Sequence, residues 1–384
     1  LIVNPSNTVV QGTMIQAVVA PKMRGDLGMH YTSVENIMKV IHPLFLMSLE
    51  EDFDNAKDSP KKLEALLMRL SKIRVFDPAC GSGNFLIVAY QKLRELEMHV
   101  FQRLEALSGN RMFGFSENGF SRISLDNFYG IEIADFAAET AKLSLWIAEY
   151  QMNQKFKATF GDAPPDLPLR DGGHIVTGNA LRVDWLTVCP PSNDESMETY
   201  ICGNPPYKGQ KNHNDDERAD LVYVFRGQPN YRKLDYVSCW FYKAAITIEN
   251  TSYHAGFVTT NSICQGTQVE MLWTKILSKN VEISFCTNAF KWKNNAKHNA
   301  GVTCTIIGLR KPNSAPKYIL SDTQKVLVSN INPYLVEGED LIIKKRLQPL
   351  SQRPNMIGGN QPREGGFLIL TDLEKKNLLQ EDVR

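Results

Sequence analysis

The apolar positions of this chain change their period several times, and each change marks a new element. Over residues 30–49, Ile37, Val40, Ile41 and Leu44 recur at helical spacing behind Thr32 or Ser33, either of which can cap, with Glu35 near the capping-box position. Pro43 interrupts this pattern and predicts a kink or two short helices. Residues 59–72 predict a second helix, with Pro60 in its first turn. A β-like run then starts at Ile73, breaks at a glycine-rich turn and gives way to a helix striped by Leu86, Ala89, Leu93, Leu96, Val100 and Leu104. The alternation repeats, with strands over 127–133, 174–181, 199–207 and 254–263 and helices over 134–153, 235–248 and 268–279. Two more strands follow, at 281–290 and 300–310.

Apolar strands alternating with helices predict an α/β, doubly wound, Rossmann-like parallel sheet covered on both faces. The last two of its seven strands are joined by a loop alone, which predicts an antiparallel pair, because a parallel pair needs a long crossover. Past Pro312 the chain is rich in proline, glycine and charge and reads as the lead-in to a further module. The expected division is a helical segment over 1–70, the α/β domain over 71–312, and a linker with the truncated start of another domain over 313–384.

Composition narrows the class. The 384 residues are 43% apolar, enough for a sizeable core, and contain no apolar run of membrane-spanning length. Leu1 and the absence of a leader pattern suggest a piece of a longer, cytoplasmic protein. Seven scattered cysteines form no CxxC pair and no zinc pattern, so buried thiols are expected, and neither a disulfide framework nor a metal. A net charge of +1 leaves only local basic clusters, at Lys208/Lys211, Lys291/Lys293/Lys297 and Lys344/Lys345/Arg346, which are either solvated surface or contacts to a polyanion.

Two short stretches carry the chemistry. "DPACGSGNF" (77–85) follows the first strand and opens a helix. Gly81 and Gly83 let the backbone approach a ligand, and the helix terminus behind them offers unpaired N–H groups. Asp77 suits a cationic or hydroxyl-bearing ligand, Glu132 at the second strand end can accept ribose hydroxyls, and Asn179 at the third can meet an adenine edge. Taken alone, the turn could equally be an ordinary tight strand–helix connection. "NPPY" (204–207) ends the fourth strand on the same rim. Pro205 and Pro206 fix the backbone, so the Asn204 side-chain oxygen and the Pro205 carbonyl form a pair of acceptors suited to an –NH2 group that must become a nucleophile. Tyr207 offers a flat surface for a planar ring, although a proline-rich turn can also be merely structural.

DPACGSGNF followed by GNPPY resembles the amino-methyltransferases that use S-adenosylmethionine, and GMHYTS (28–33) resembles the segment that precedes the first strand in gamma-type DNA adenine methyltransferases. With "DYVSCWFYKAA", "GFVTTNSICQGTQV" and "NAGVTCTIIGLR", nearly the whole chain is similar to the MmeI-like, type IIL restriction–modification enzymes, which join nuclease, methyltransferase and target-recognition domains. The resemblance implies a seven-stranded class I methyltransferase sheet and transfer of a methyl group from S-adenosylmethionine to the N6 amine of an adenine flipped from double-stranded DNA. It implies that Asp77, Gly81 and Gly83 hold the methionine moiety, Glu132 the ribose and Asn179 the cofactor adenine. Tyr31 and Thr32 would close the methionine end, while Ala79, Asn84, Phe85, Ile133, Ala180 and Asn204 complete the cofactor's surroundings. Asn204, Pro205, Pro206 and Tyr207 would hold the target base, with Phe290, or else Trp292, stacked on it. Two departures stand out: Asn179 occupies a position that is often Asp, and no acidic pair with a catalytic lysine marks a nuclease. A protein glutamine methyltransferase, which shares NPPY, and a non-catalytic DNA-specificity module are the alternative readings.

Overall fold

The computed structural model describes residues 32–109, 121–161, 172–291, 302–346, 371–373 and 375–376. Tyr31 and Trp292 lie outside them. The chain divides into one compact unit through Ile343 and a second from Lys344 onward.

The chain enters through helix α1 (Val34–Ile41), where the Ser33 hydroxyl accepts from the Asn36 N–H at 3.4 Å. Pro43 does not end the helical run. The helix widens into a π-turn over His42–Leu46, in which the Met47 N–H reaches the His42 carbonyl, and continues as α2 (Met47–Ala56). A wider turn absorbs the hydrogen bond that a proline cannot make. Helix α3 (Pro60–Leu70) starts at Ser59 as expected, with the Ser59 hydroxyl accepting from Lys62 N–H.

Strand β1 (Ile73–Asp77) leads through the glycine turn into the 25-residue α4 (Asn84–Ser108). After β2 (Phe128–Glu132) comes α5 (Asp135–Phe160), and β3 (His174–Thr177) is followed by the single turn α6 (Trp185–Val188). Strand β4 (Glu198–Gly203) leads to α7 (Asp215–Val224) and α8 (Ser238–Asn250). Then come β5 (His254–Thr260), α9 (Gly266–Leu277), β6 (Glu282–Thr287), the two-residue β7 (Phe290–Lys291), β8 (Thr303–Arg310), β9 (Lys317–Leu320) and β10 (Lys325–Val328).

The strands form one sheet in the order β10-β9-β6-β8-β5-β4-β1-β2-β3, with β7 paired to β8. Strands β1 to β5 pair in parallel, and β8 lies antiparallel between β5 and β6. All seven strands read from the sequence are present, and the expected antiparallel pair is β6 with β8. Among the described residues there are three more: β7, and the β9–β10 hairpin, which continues the sheet beyond the change of texture at Pro312.

Side-chain alternation divides the core into two layers. Val75 of β1 and Tyr200 and Cys202 of β4 face α1 to α5, whereas Phe76 and Ile201 face α6 to α9. All seven cysteines are buried and free. No helix among the described residues is long and apolar enough to cross a membrane.

One ion pair is sealed in the first layer. Arg94 and Glu97 of α4 have side chains 1% and 0% exposed and stand 3.1 Å apart, close enough to pair although poorly aligned for a hydrogen bond at the Arg94 Nε. Glu97 also accepts from the Ser121 hydroxyl and the Arg122 N–H, both at 2.7 Å. Glu97→Ala strands a buried guanidinium and two donors, so urea unfolding should show a loss of about 3–5 kcal/mol.

Candidate active site

Strand order reverses between β1 and β4, because β2 and β3 lie to one side of β1 and β5 to the other of β4. In open α/β sheets a ligand crevice opens at such a point, outside the carboxyl ends of the strands. The carboxyl ends of β1, β2 and β4 carry Asp77, Glu132 and Gly203–Asn204 to that rim, and Asn179 stands two residues past β3.

The glycine turn is held by the acids beside it. Glu132 accepts from the Gly81 N–H at 2.9 Å with one carboxylate oxygen and from the Ala134 N–H at 3.0 Å with the other. Asp77 accepts from the Ala79 N–H at 2.9 Å. Gly203 leaves the space Asp77 needs, since a Cβ there would stand 2.5 Å from Asp77 Oδ1. Complete burial pushes the Asp77 carboxyl up to about 8, against the pull of the Ala79 N–H and with a further push from the Glu132 charge. Burial also raises Glu132.

These groups line a cavity of about 520 Å³. Among the residues lining it are Thr32, Asp77, Ala79, Gly81, Asn84, Phe85, Glu132, Ile133, Asn179, Ala180, Asn204 and Pro206. Asn204 donates through Nδ2 to the Thr32 hydroxyl at 3.2 Å, which ties the NPPY turn to the segment before α1. Its Oδ1 is buried and has no hydrogen-bond partner among the described residues. A buried polar atom left unpaired is uncommon and carries a free-energy cost, so one at the wall of a cavity marks a place for a donor.

Four expected site residues do not line this cavity, and three of them, Pro205, Tyr207 and Phe290, are expected at the target base and not at the cofactor. Gly83 does not line the cavity; with φ +86° it caps α4, where a Cβ would press on Ala141 at 3.2 Å. Pro205 is buried. Tyr207 packs half-buried against both core layers, with its hydroxyl 3.7 Å from the Cys304 thiol. Phe290 pairs with that same Cys304 across β7 and β8, and the Lys39 ammonium lies 4.8 Å from its ring centre. The two expected stacking rings are therefore brought to one residue, outside the nucleotide-sized cavity.

Asn179 is held rather than free. Its Oδ1 accepts from the Leu181 N–H and its Nδ2 donates to Asp220, both at 2.9 Å. Asp220 also accepts from Arg182 Nε and from the Tyr236 hydroxyl, both at 2.7 Å. Asp216, Glu217 and Asp220 of α7, with Tyr236 and Trp240, complete the cavity lining, and Trp240 donates from its indole to the Pro78 carbonyl at 3.2 Å. The sequence reading passed over α7, although Asn214 and Glu217 form a capping box that could have revealed it. Lys208, expected among groups for a polyanion, is instead paired with Glu217 at 2.9 Å.

Comparison with known proteins points the same way. The family described as MmeI, DNA-methyltransferase domain, matches residues 53–321. A Bacillus subtilis protein named DNA methyltransferase A is 46% identical over 374 residues, 97% of this chain and 41% of its own length. A DNA-bound structure of the type IIL restriction–modification enzyme MmeI superposes with a TM-score of 0.86 at 38% identity, over 97% of this chain and 50% of that one. The chain thus spans about half the length, or less, of these relatives. It belongs to the MmeI DNA-methyltransferase domain family.

Proposed function

We propose that this domain transfers a methyl group from S-adenosylmethionine to the N6 amine of an adenine flipped out of double-stranded DNA. In this reading it is the modification part of a longer restriction–modification protein, with the recognition module beginning in the second unit. The observation that carries the proposal is the buried Asn204 Oδ1, without a hydrogen-bond partner among the described residues, at a cavity also lined by a glycine turn held by two strand-end acids.

The cavity suits the cofactor. Its size lies within the range of about 300–1,000 Å³ that small-molecule sites occupy. Glu132 stands at the end of β2 where it could accept a ribose hydroxyl, and Asp77 lines the same cavity and would hold the methionine end. Ile133, 59% exposed at the mouth, offers an apolar face to the adenine. Bound S-adenosylmethionine supplies an electrophilic methyl on a sulfonium centre. The chain's part is to present the nucleophile. Asn204 Oδ1 and the Pro205 carbonyl accept the two N–H bonds of the target amine, which takes its lone pair out of conjugation with the ring. Positioning and fixed acceptors of this kind are the main means by which such a site accelerates transfer. Flipping the base costs a few kcal/mol. Stacking on Tyr207 and Phe290 offsets that at about 1–3 kcal/mol per contact.

Incubating the full-length protein with methyl-labelled S-adenosylmethionine and unmethylated DNA should place label in N6-methyladenine; label in protein instead would establish the glutamine reading. Asn204→Ala should lower transfer by about 100- to 1,000-fold while changing cofactor affinity little.

The Asp77 carboxyl adds a pH signature. Its folded value, raised to about 8 from the ordinary 3.8, favours the protonated carboxyl at neutral pH when no cofactor is bound. The stabilisation this gives is complete below the ordinary value and is lost as pH rises through about 8. Denaturant unfolding without cofactor should therefore show a decline over that window, on the order of 5 kcal/mol, that Asp77→Asn removes. Pairing with a cationic methionine end favours the ionised carboxylate. Titration calorimetry at pH 7 in buffers of differing ionisation enthalpy should detect proton release on binding in wild type and less of it in Asp77→Asn.

A further inference from the structure

We propose that helix α7 carries two positioning carboxylates that serve opposite ends of the site, Asp220 the cofactor's nucleoside end and Glu217 the loop that presents the target base. The inference rests on the function proposed above and assigns residues that the NPPY and glycine-turn motifs do not contain.

Asp220 is a buried carboxylate whose side chain is 5% exposed. It gathers Asn179 and Arg182 from the turn after β3, and Tyr236 from just before α8. That turn is gripped from its other side by Lys243, whose ammonium donates to the Ala180 and Val183 carbonyls at 2.7 and 2.6 Å. Asn179, Ala180 and Arg182 all line the cavity, so Asp220 fixes the wall that meets the nucleoside without itself needing to touch the reacting atoms.

Glu217 stands three residues earlier, on the same face of the helix. One of its oxygens accepts from Lys208, four residues past Asn204, and the other from the Asn214 N–H, both at 2.9 Å. The Lys208 carbonyl accepts from the Tyr236 N–H at 2.9 Å and lies 3.0 Å from His213 Nε2. The chain leaving NPPY is therefore fastened to α7 by a side chain and to its neighbours by a carbonyl. The capping box at Asn214 fixes where the helix begins, and with it the height of both acids. One rigid element thus sets the distance between the nucleoside wall and the loop that carries Asn204.

The test separates binding from turnover in the full-length protein. Asp220→Asn should weaken S-adenosylmethionine about tenfold by calorimetry and raise its KM to match, while kcat at saturating cofactor stays within about threefold. Glu217→Gln should lower kcat about tenfold, with a smaller effect on cofactor affinity than Asp220→Asn has. Lys208→Met removes the same contact, so combined with Glu217→Gln it should add almost nothing further. If Asp220→Asn does not fold, Tyr236→Phe, which removes one of its donors, should move cofactor affinity in the same direction. Both acid variants shifting the same parameter equally, or neither shifting any in an active wild type, would overturn the assignment. Failure of the wild-type protein to methylate DNA would count against the proposed function instead, and the Asp220 part would still be decided by cofactor binding.

Discussion

Parallel pairing of β1 with both β2 and β4 is the constraint on which the rest of this structure depends. It makes the three strands end on one rim, and it makes their connections leave in opposite directions. The gap between those connections is the cavity. Each strand then needs only a short polar turn at its end to deliver one group: Asp77, Glu132 and Asn204. The sheet's two apolar layers supply the rigidity, and the rim supplies the chemistry.

Within that frame the polar groups are arranged by one another. Glu132 spends one hydrogen bond on the glycine turn, which keeps the backbone from collapsing into the crevice. Gly203 yields room to Asp77, and Thr32 engages the nitrogen of Asn204, leaving the oxygen unpaired. An acceptor left in that state costs folding free energy, which the large core can bear and which a bound donor would recover.

Much of this was legible in the chain because it is local. The strand runs, the Ser33 cap, Pro60 in the first turn of α3 and the two motifs are signals of a few residues each, and the cavity unites most of the residues they named. What escaped is non-local. The hold of Asp220 on Asn179 spans 41 residues, and the convergence of Tyr207 and Phe290 on Cys304 depends on a two-residue strand. Gly83 was assigned to the ligand by its motif, yet its positive φ serves the start of α4. The π-turn at Pro43 shows the opposite case, in which helix packing on both sides overrides a local breaker. The β9–β10 hairpin escaped because proline, glycine and charge around it suggested a linker, while its own short strands complete the sheet edge.

The central claim is that cofactor and extruded base meet at the free oxygen of Asn204. Its most direct test is a structure of the full-length protein bound to DNA and to an unreactive cofactor analogue carrying an amine in place of the transferable methyl. The analogue should lie between Asp77 and Asn179, with the target adenine's N6 within hydrogen-bonding distance of Asn204 Oδ1. An analogue bound elsewhere, or a base turned so that its amine points away from Asn204, would contradict it.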